Sequence, residues 1–244
     1  YMVTRRCSER RFFLRPDEDT NNSFIYCLAL AAKRANVQVT FSVAMSNHHH
    51  TGIHDPDGNF PIFTEHFHGL LARCQNAHLG RFENFWSSEP PSVVRLVEAN
   101  DILDKMIYAF TNPTAADLVD SVEGWPGVTT FQATLSSGHI TATRPKHFFR
   151  DDGQMPEVVS LPMARPRGFA ELCELLDRLD DVVFPRAKAG TRAKIAIKVS
   201  PGDDPLPPPD DHLVPGEGEL SPREILLALR PALGALEACY RAGL

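Results

Sequence analysis

Val37-Gln38-Val39-Thr40-Phe41-Ser42-Val43 alternates apolar and polar side chains, the two-residue period of a strand with one face buried. Ser46-Asn47 reads as a turn, and His48 to Ile53 as a second strand. The neighbouring segments restrict what this strand pair can join. Tyr1 to Thr4 is a short strand candidate. Asp19, Thr20 and Asn22 supply helix-start chemistry ahead of Phe24 to Arg34, where Ile25, Leu28, Leu30 and Ala31 recur at helical spacing. Asp55-Pro56-Asp57-Gly58 is a turn, Glu65 to Asn76 a helix, and Ser92 to Val97 a strand. Asn100 is a candidate N-cap for a helix from Asp101 to about Thr111, which Pro113 should end. The order strand, helix, strand, strand, helix, strand, helix predicts an α+β, ferredoxin-like (RRM-like) sheet with helices packed on one face.

After about residue 150 the character changes, so a mixed or helical C-terminal extension is expected. Glu157 to Leu161 is a strand candidate, and Phe169 to Asp180 carries Leu172, Leu175, Leu176 and Leu179 on one helical stripe. Pro201, Pro205, Pro207, Pro208, Pro209 and Pro215, with acids between them, mark a solvated linker. Ser221-Pro222-Arg223-Glu224 then starts a last helix. The expected division is a catalytic domain over 1–130, an extension over 131–199, a linker over 200–220 and a helix over 221–244.

Composition excludes several classes. No apolar run in the 244 residues is long enough to span a bilayer, and mean hydropathy is -0.22. Five scattered cysteines without a CxxC pair argue against a disulfide framework or a zinc–thiolate site, and for a reducing compartment. The opening Tyr1 to Arg6 has no signal-peptide layout and reads as the interior of a protein. The net charge of -6 argues against a broad basic surface, although most of the excess acid falls after residue 150. Arg5, Arg6, Arg10, Arg11 and Arg15 crowd the start, where they would either neutralise phosphates or decorate a solvated loop.

Two local patterns carry chemistry. In Asn47-His48-His49-His50, residues 48 and 50 point to one face of a strand and can share a metal ion, while His49 points the other way. A bare His-x-His pair is also compatible with surface or packed histidines. In Tyr108-Ala109-Phe110-Thr111-Asn112-Pro113, Tyr108 and Asn112 are four apart and share a helix face. That suits a nucleophile beside a metal-ligating carbonyl, and equally a core tyrosine before an Asn-Pro helix stop.

Five segments in order resemble the REP-associated tyrosine transposases, a branch of the single-tyrosine HUH transposases of insertion sequences. They are Tyr1 to Arg6, Val43 to His50, Asn84-Phe85-Trp86, Tyr108 to Pro113, and Leu118-Val119 through Trp125-Pro126. The resemblance covers about residues 1–130. It implies a cytoplasmic, chromosome-associated protein of bacterial type that acts as a homodimer on single-stranded or hairpin DNA. It also implies Mg2+ or Mn2+ held by His48, His50 and Asn112, with Tyr108 attacking a phosphodiester to leave a 5′-phosphotyrosine. Arg5, Arg6, Arg10 and Arg11 are the candidate DNA contacts.

Three positions depart from the family's pattern. His49 stands where an aliphatic residue is usual, so on a core-facing side it must find a polar partner. Ser46 replaces a common proline, and Thr114 to Asp117 lacks the arginine expected near the tyrosine. Asp101 and Asp104 read as helix N-terminal acids, and His54, His66, His68 and His78 as surface or packing residues. A descendant that binds hairpins without cutting them, and a phosphoesterase using metal-bound water, are the competing readings.

Overall fold

The structure is a computed structural model and describes residues 1–136 and 138–164. The helical stripe at 169–180, the linker and the last helix predicted from sequence lie outside the described residues. Two compact units are present. The first comprises Tyr1–Leu96 and Pro126–Arg165, and the second includes Val97–Trp125.

In the first unit the chain runs β1 (Met2–Arg6), α1 (Glu18–Ala35), β2 (Gln38–Met45), β3 (His48–His54), α2 (Phe60–His78) and β4 (Ser92–Val94). The strands form one antiparallel sheet in the order β2-β3-β1-β4. This interleaves two strand–helix–strand units and is the ferredoxin-like order expected from the sequence. Helices α1 and α2 pack on one face, burying Phe24, Leu28, Phe63, Phe67 and Leu71 in a common core. At β3 a glycine is required: a Cβ on Gly52 would overlap the Phe41 ring, beside the register shift between Val39 and Phe41.

Local chemistry moves several element ends. The N-cap of α1 is Asp17, ahead of the predicted start chemistry, because its carboxylate accepts both the Thr20 N–H at 2.7 Å and the Thr20 hydroxyl at 2.8 Å. Helix α2 begins at Phe60 and not at Glu65. Pro61 fits its first turn, and the Asp55 carboxylate accepts the N–H groups of Asn59 and Phe60 at 2.9 and 2.8 Å. Strand β4 stops at Val94, since its pairing with β1 covers only Met2 to Thr4.

The chain continues past residue 126 into the same core. Thr129 and Thr130 lie along β2, where the Thr130 N–H donates to Ser42 O at 2.9 Å and the Ser42 N–H to Thr130 Oγ1 at 2.8 Å. Short helix α4 (Phe131–Leu135) follows, then a hairpin of β5 (His139–Thr143) and β6 (Val158–Pro162). The hairpin packs on α1, with Asn22 bonded to the Thr143 backbone at 2.8 and 2.9 Å and the Tyr26 hydroxyl donating to Pro156 O at 2.6 Å. The 129–130 segment and the Ala164 N–H, which donates to Val39 O, occupy the outer edge of β2.

The second unit contains α3 (Ala99–Ala115) and a 3-10 turn at Val122–Gly124. Its N-cap is Glu98, not Asn100: the Glu98 N–H donates to Asp101 Oδ2 at 3.2 Å in a reciprocal capping box. Asp101 is therefore a capping residue. The helix runs two residues beyond Pro113 before ending, so proline does not stop it there. The bond that proline cannot donate is one loss near the helix end, and the Ala116 N–H still reaches Asn112 O at 3.0 Å. No described helix is long and apolar enough to cross a membrane.

Candidate functional site

Three consecutive histidines on β3 alternate between the two faces of the sheet. The register pairs His48 with Arg6 and Met45, His49 with Arg5 and Ala44, and His50 with Thr4 and Val43. Residues directly opposite in an antiparallel pair share a face. His48, His50, Thr4 and Arg6 therefore lie on one side, and His49 and Arg5 on the other, toward α1 and α2.

On the first side the His48 and His50 rings have centroids 4.9 Å apart. Each is oriented through Nδ1: His48 by Asn47 Oδ1 at 2.6 Å, and His50 by Thr4 Oγ1 at 2.8 Å. The Asn47 oxygen can only accept, so His48 Nδ1 carries the proton and Nε2 is the nitrogen that could take a metal. The Thr4 hydroxyl can accept from His50 Nδ1 and so permits the same tautomer. Two imidazoles from one strand, each with its outer nitrogen engaged, fit the requirements of a first-row divalent ion. Asn47, which the sequence suggested only as a turn residue, is thus an orienting residue for His48.

On the second side His49 is wholly buried between Phe24, Phe67 and Trp86. Its partner is His68 on α2, at 2.9 Å between the two Nε2 atoms. The tautomers follow from one donor. Arg5 can only donate, and its NH1 lies 3.1 Å from His68 Nδ1. Neutral His68 then holds its proton on Nε2 and donates to His49 Nε2. His49 holds its own on Nδ1 and donates to Thr51 Oγ1 at 3.0 Å, which lies 2.8 Å from Ser42 Oγ. Burial holds His49 well below the usual histidine range, reinforced by His68, and it pushes His68 down to about 3, with the Arg5 charge adding to the effect. His68 is thus not a generic packing residue. No sequence period links positions 49 and 68; only the tertiary fold pairs them.

Tyr108 and Asn112 sit one turn apart on α3. Tyr108 is 38% exposed, and Lys105 Nζ lies 5.9 Å from its ring centroid. Residues around it on the helix, Leu103, Met106, Ile107 and Phe110, are buried. Of the four candidate DNA arginines, Arg5 turns to His68 and lies over Trp86 at 5.6 Å. Arg6 is exposed on the His48 face. Arg10 and Arg11 belong to the turn after β1, where Glu9 and Arg10 have positive φ and Arg11 pairs with Glu9 at 2.9 Å.

A second group suited to a metal lies elsewhere in the first unit. Asp19, His78 and His147 each place a ligand atom within 4.8 Å of the others. They come from the start of α1, the end of α2 and the segment between β5 and β6, a combination that no local motif announces.

No family model and no curated protein matches the chain. A solved structure of a REP-associated tyrosine transposase bound to a REP hairpin is similar over 68% of this chain and 91% of that one, at 15% identity and a TM-score of 0.40, a remote structural likeness.

Proposed function

We propose that this protein nicks and rejoins single-stranded DNA at hairpin-associated sites through a 5′-phosphotyrosine on Tyr108. His48, His50 and Asn112 would hold Mg2+ or Mn2+. The observation that carries the reading is the His48–His50 pair, with ring centroids 4.9 Å apart on one sheet face and both Nδ1 atoms engaged. Two imidazoles and an amide oxygen suit Mn2+ at least as well as Mg2+, which favours carboxylate and water oxygens. When bound, such an ion polarises a phosphoryl oxygen and offsets charge that develops at phosphorus.

The remaining chemistry belongs to the chain. The Tyr108 Oη attacks phosphorus, and the bond from phosphorus to the 3′-oxygen breaks. The phenolic proton passes to solvent or a base, and the departing 3′-oxygen takes up a proton. In the reverse direction a 3′-hydroxyl attacks the phosphotyrosine, and the phenol leaves reprotonated. One phosphodiester is exchanged for another, so no external energy source is required. Tyr108 is exposed enough to meet a strand, while its helix is anchored by buried neighbours. A homodimer would bring two such tyrosines to two strand ends.

The test is a denaturing gel of single-stranded hairpin DNA incubated with the protein and Mn2+. A covalent protein–DNA band that requires the metal and disappears in Tyr108→Phe is expected. Cleavage that survives Tyr108→Phe would overturn the tyrosine mechanism in favour of metal-bound water. Specific hairpin binding with no cleavage would make the chain a binding protein.

A further inference from the structure

Among the described residues the strongest unassigned cluster joins the start of α1 and the end of α2 to the β5–β6 segment. We infer that Asp19, His78 and His147 form a second metal site, separate from the β3 histidines and suited to a Zn2+-class ion.

Both imidazoles have polar neighbours at Nε2. His78 Nε2 lies 3.4 Å from Asp17 Oδ1, and His78 Nδ1 lies 4.0 Å from Asp19 Oδ2. Asp17, fixed by its capping bonds to Thr20, faces the Nε2 side of the ring. That leaves Nδ1 facing Asp19 as the coordinating nitrogen. His147 repeats the arrangement. Its Nε2 lies 3.4 Å from both Cys74 Sγ and Ser23 Oγ, which leaves Nδ1 for the ligand role when Nε2 donates to them. A metal-binding histidine characteristically gives its other ring nitrogen to a carboxylate, carbonyl or hydroxyl partner. Each histidine has a polar neighbour on its Nε2 side, and the two ring centroids are 5.1 Å apart.

The donor set selects the ion. Two imidazoles and one carboxylate suit Zn2+ and its first-row neighbours over Mg2+ or Ca2+. Ligand atoms on a tetrahedral Zn2+ lie roughly 3.3 Å apart. The present spread of up to 4.8 Å needs a modest inward rotation, which the exposed Asp19 side chain can make. Three protein ligands leave a fourth position on the solvent side, beside Asp19. Because the ligands come from α1, α2 and the segment after β5, an ion would also clamp three elements of the first unit.

Calorimetric titration of the metal-stripped full chain with Zn2+ tests this. The His48→Ala/His50→Ala double variant removes the β3 pair and is expected to retain one Zn2+ per chain. Adding His78→Ala should abolish that binding. Adding the surface change Asp19→Asn, which carries little folding risk, should weaken it at least tenfold. Binding unchanged by either addition, or absent already in the double variant, would overturn the site. Neither result depends on DNA cleavage, so failure here leaves the tyrosine mechanism standing, and failure there leaves this site standing.

Discussion

The two faces of β3 present the same residue type in two kinds of surroundings. His48 and His50 are each oriented by one short bond through Nδ1, from Asn47 and Thr4. His49, between them in sequence, is buried among Phe24, Phe67 and Trp86 and bonded through both nitrogens, to His68 and Thr51. The first pair has the geometry that the proposed metal role needs. The middle histidine is a structural group whose polarity is satisfied inside the core. Histidine identity alone therefore says little; the side of the strand and the partner of each nitrogen decide what the residue can do.

Removing one face at a time separates the two roles. His48→Ala or His50→Ala should reduce metal-dependent cleavage on the order of 10³-fold, because several kcal/mol of charge stabilisation go with the ion. For His48→Ala the unfolding midpoint of the metal-free protein should barely move, whereas His50→Ala, at a buried position, should lower it. Loss of cleavage accompanied by global unfolding would contradict the division. His49→Ala should do the opposite. It opens a core cavity and leaves the His68 Nε2–H without an acceptor, a loss of roughly 3 kcal/mol in denaturant unfolding. His49→Leu with His68→Leu should cost less than the two single changes summed, since no buried donor is then stranded.

Acid titration is the next test. Burial, with the Arg5 charge adding to it, pushes folded His68 down to about 3, below the ordinary histidine pKa of about 6.5. The unfolded chain thus binds a proton here that the folded chain refuses. This contribution to stability is fully present above pH ~6.5 and is lost as pH falls toward ~3, with a slope of about 1.4 kcal/mol per unit. His68→Gln should flatten the acid limb of the stability profile by that slope. An unchanged limb would show that His68 does not titrate in this way. The smallest effect is expected from Asn47→Ala, which removes the Nδ1 partner of His48. Metal affinity should fall roughly tenfold with little change in stability.

Much of the fold was legible because its signals are periodic. Alternation at Val37 to Val43 and helical spacing at Ile25, Leu28 and Ala31 gave the elements, and their order gave the sheet. The ends were less legible, because capping depends on where a carboxylate can reach. Asp55 starts α2 from a turn, and Glu98 with Asp101 starts α3 before the predicted Asn100. Pro113 misled because two further residues can remain helical after it. For the candidate site, the opposite orientations of His48/His50 and His49 followed from strand geometry alone. Asn47, the partner of His48, is adjacent in sequence, but only the fold shows that its amide oxygen turns to the ring.

By itself, then, the sequence determined the element types, the ferredoxin-like order and the two-faced placement of the β3 histidines, because each rests on a local period. Only the tertiary structure decided that His49 meets His68, that Arg5 turns to that pair, and that Asp19, His78 and His147 converge. Those contacts join positions 19 to 128 residues apart, where no chain periodicity operates and packing alone selects the partners.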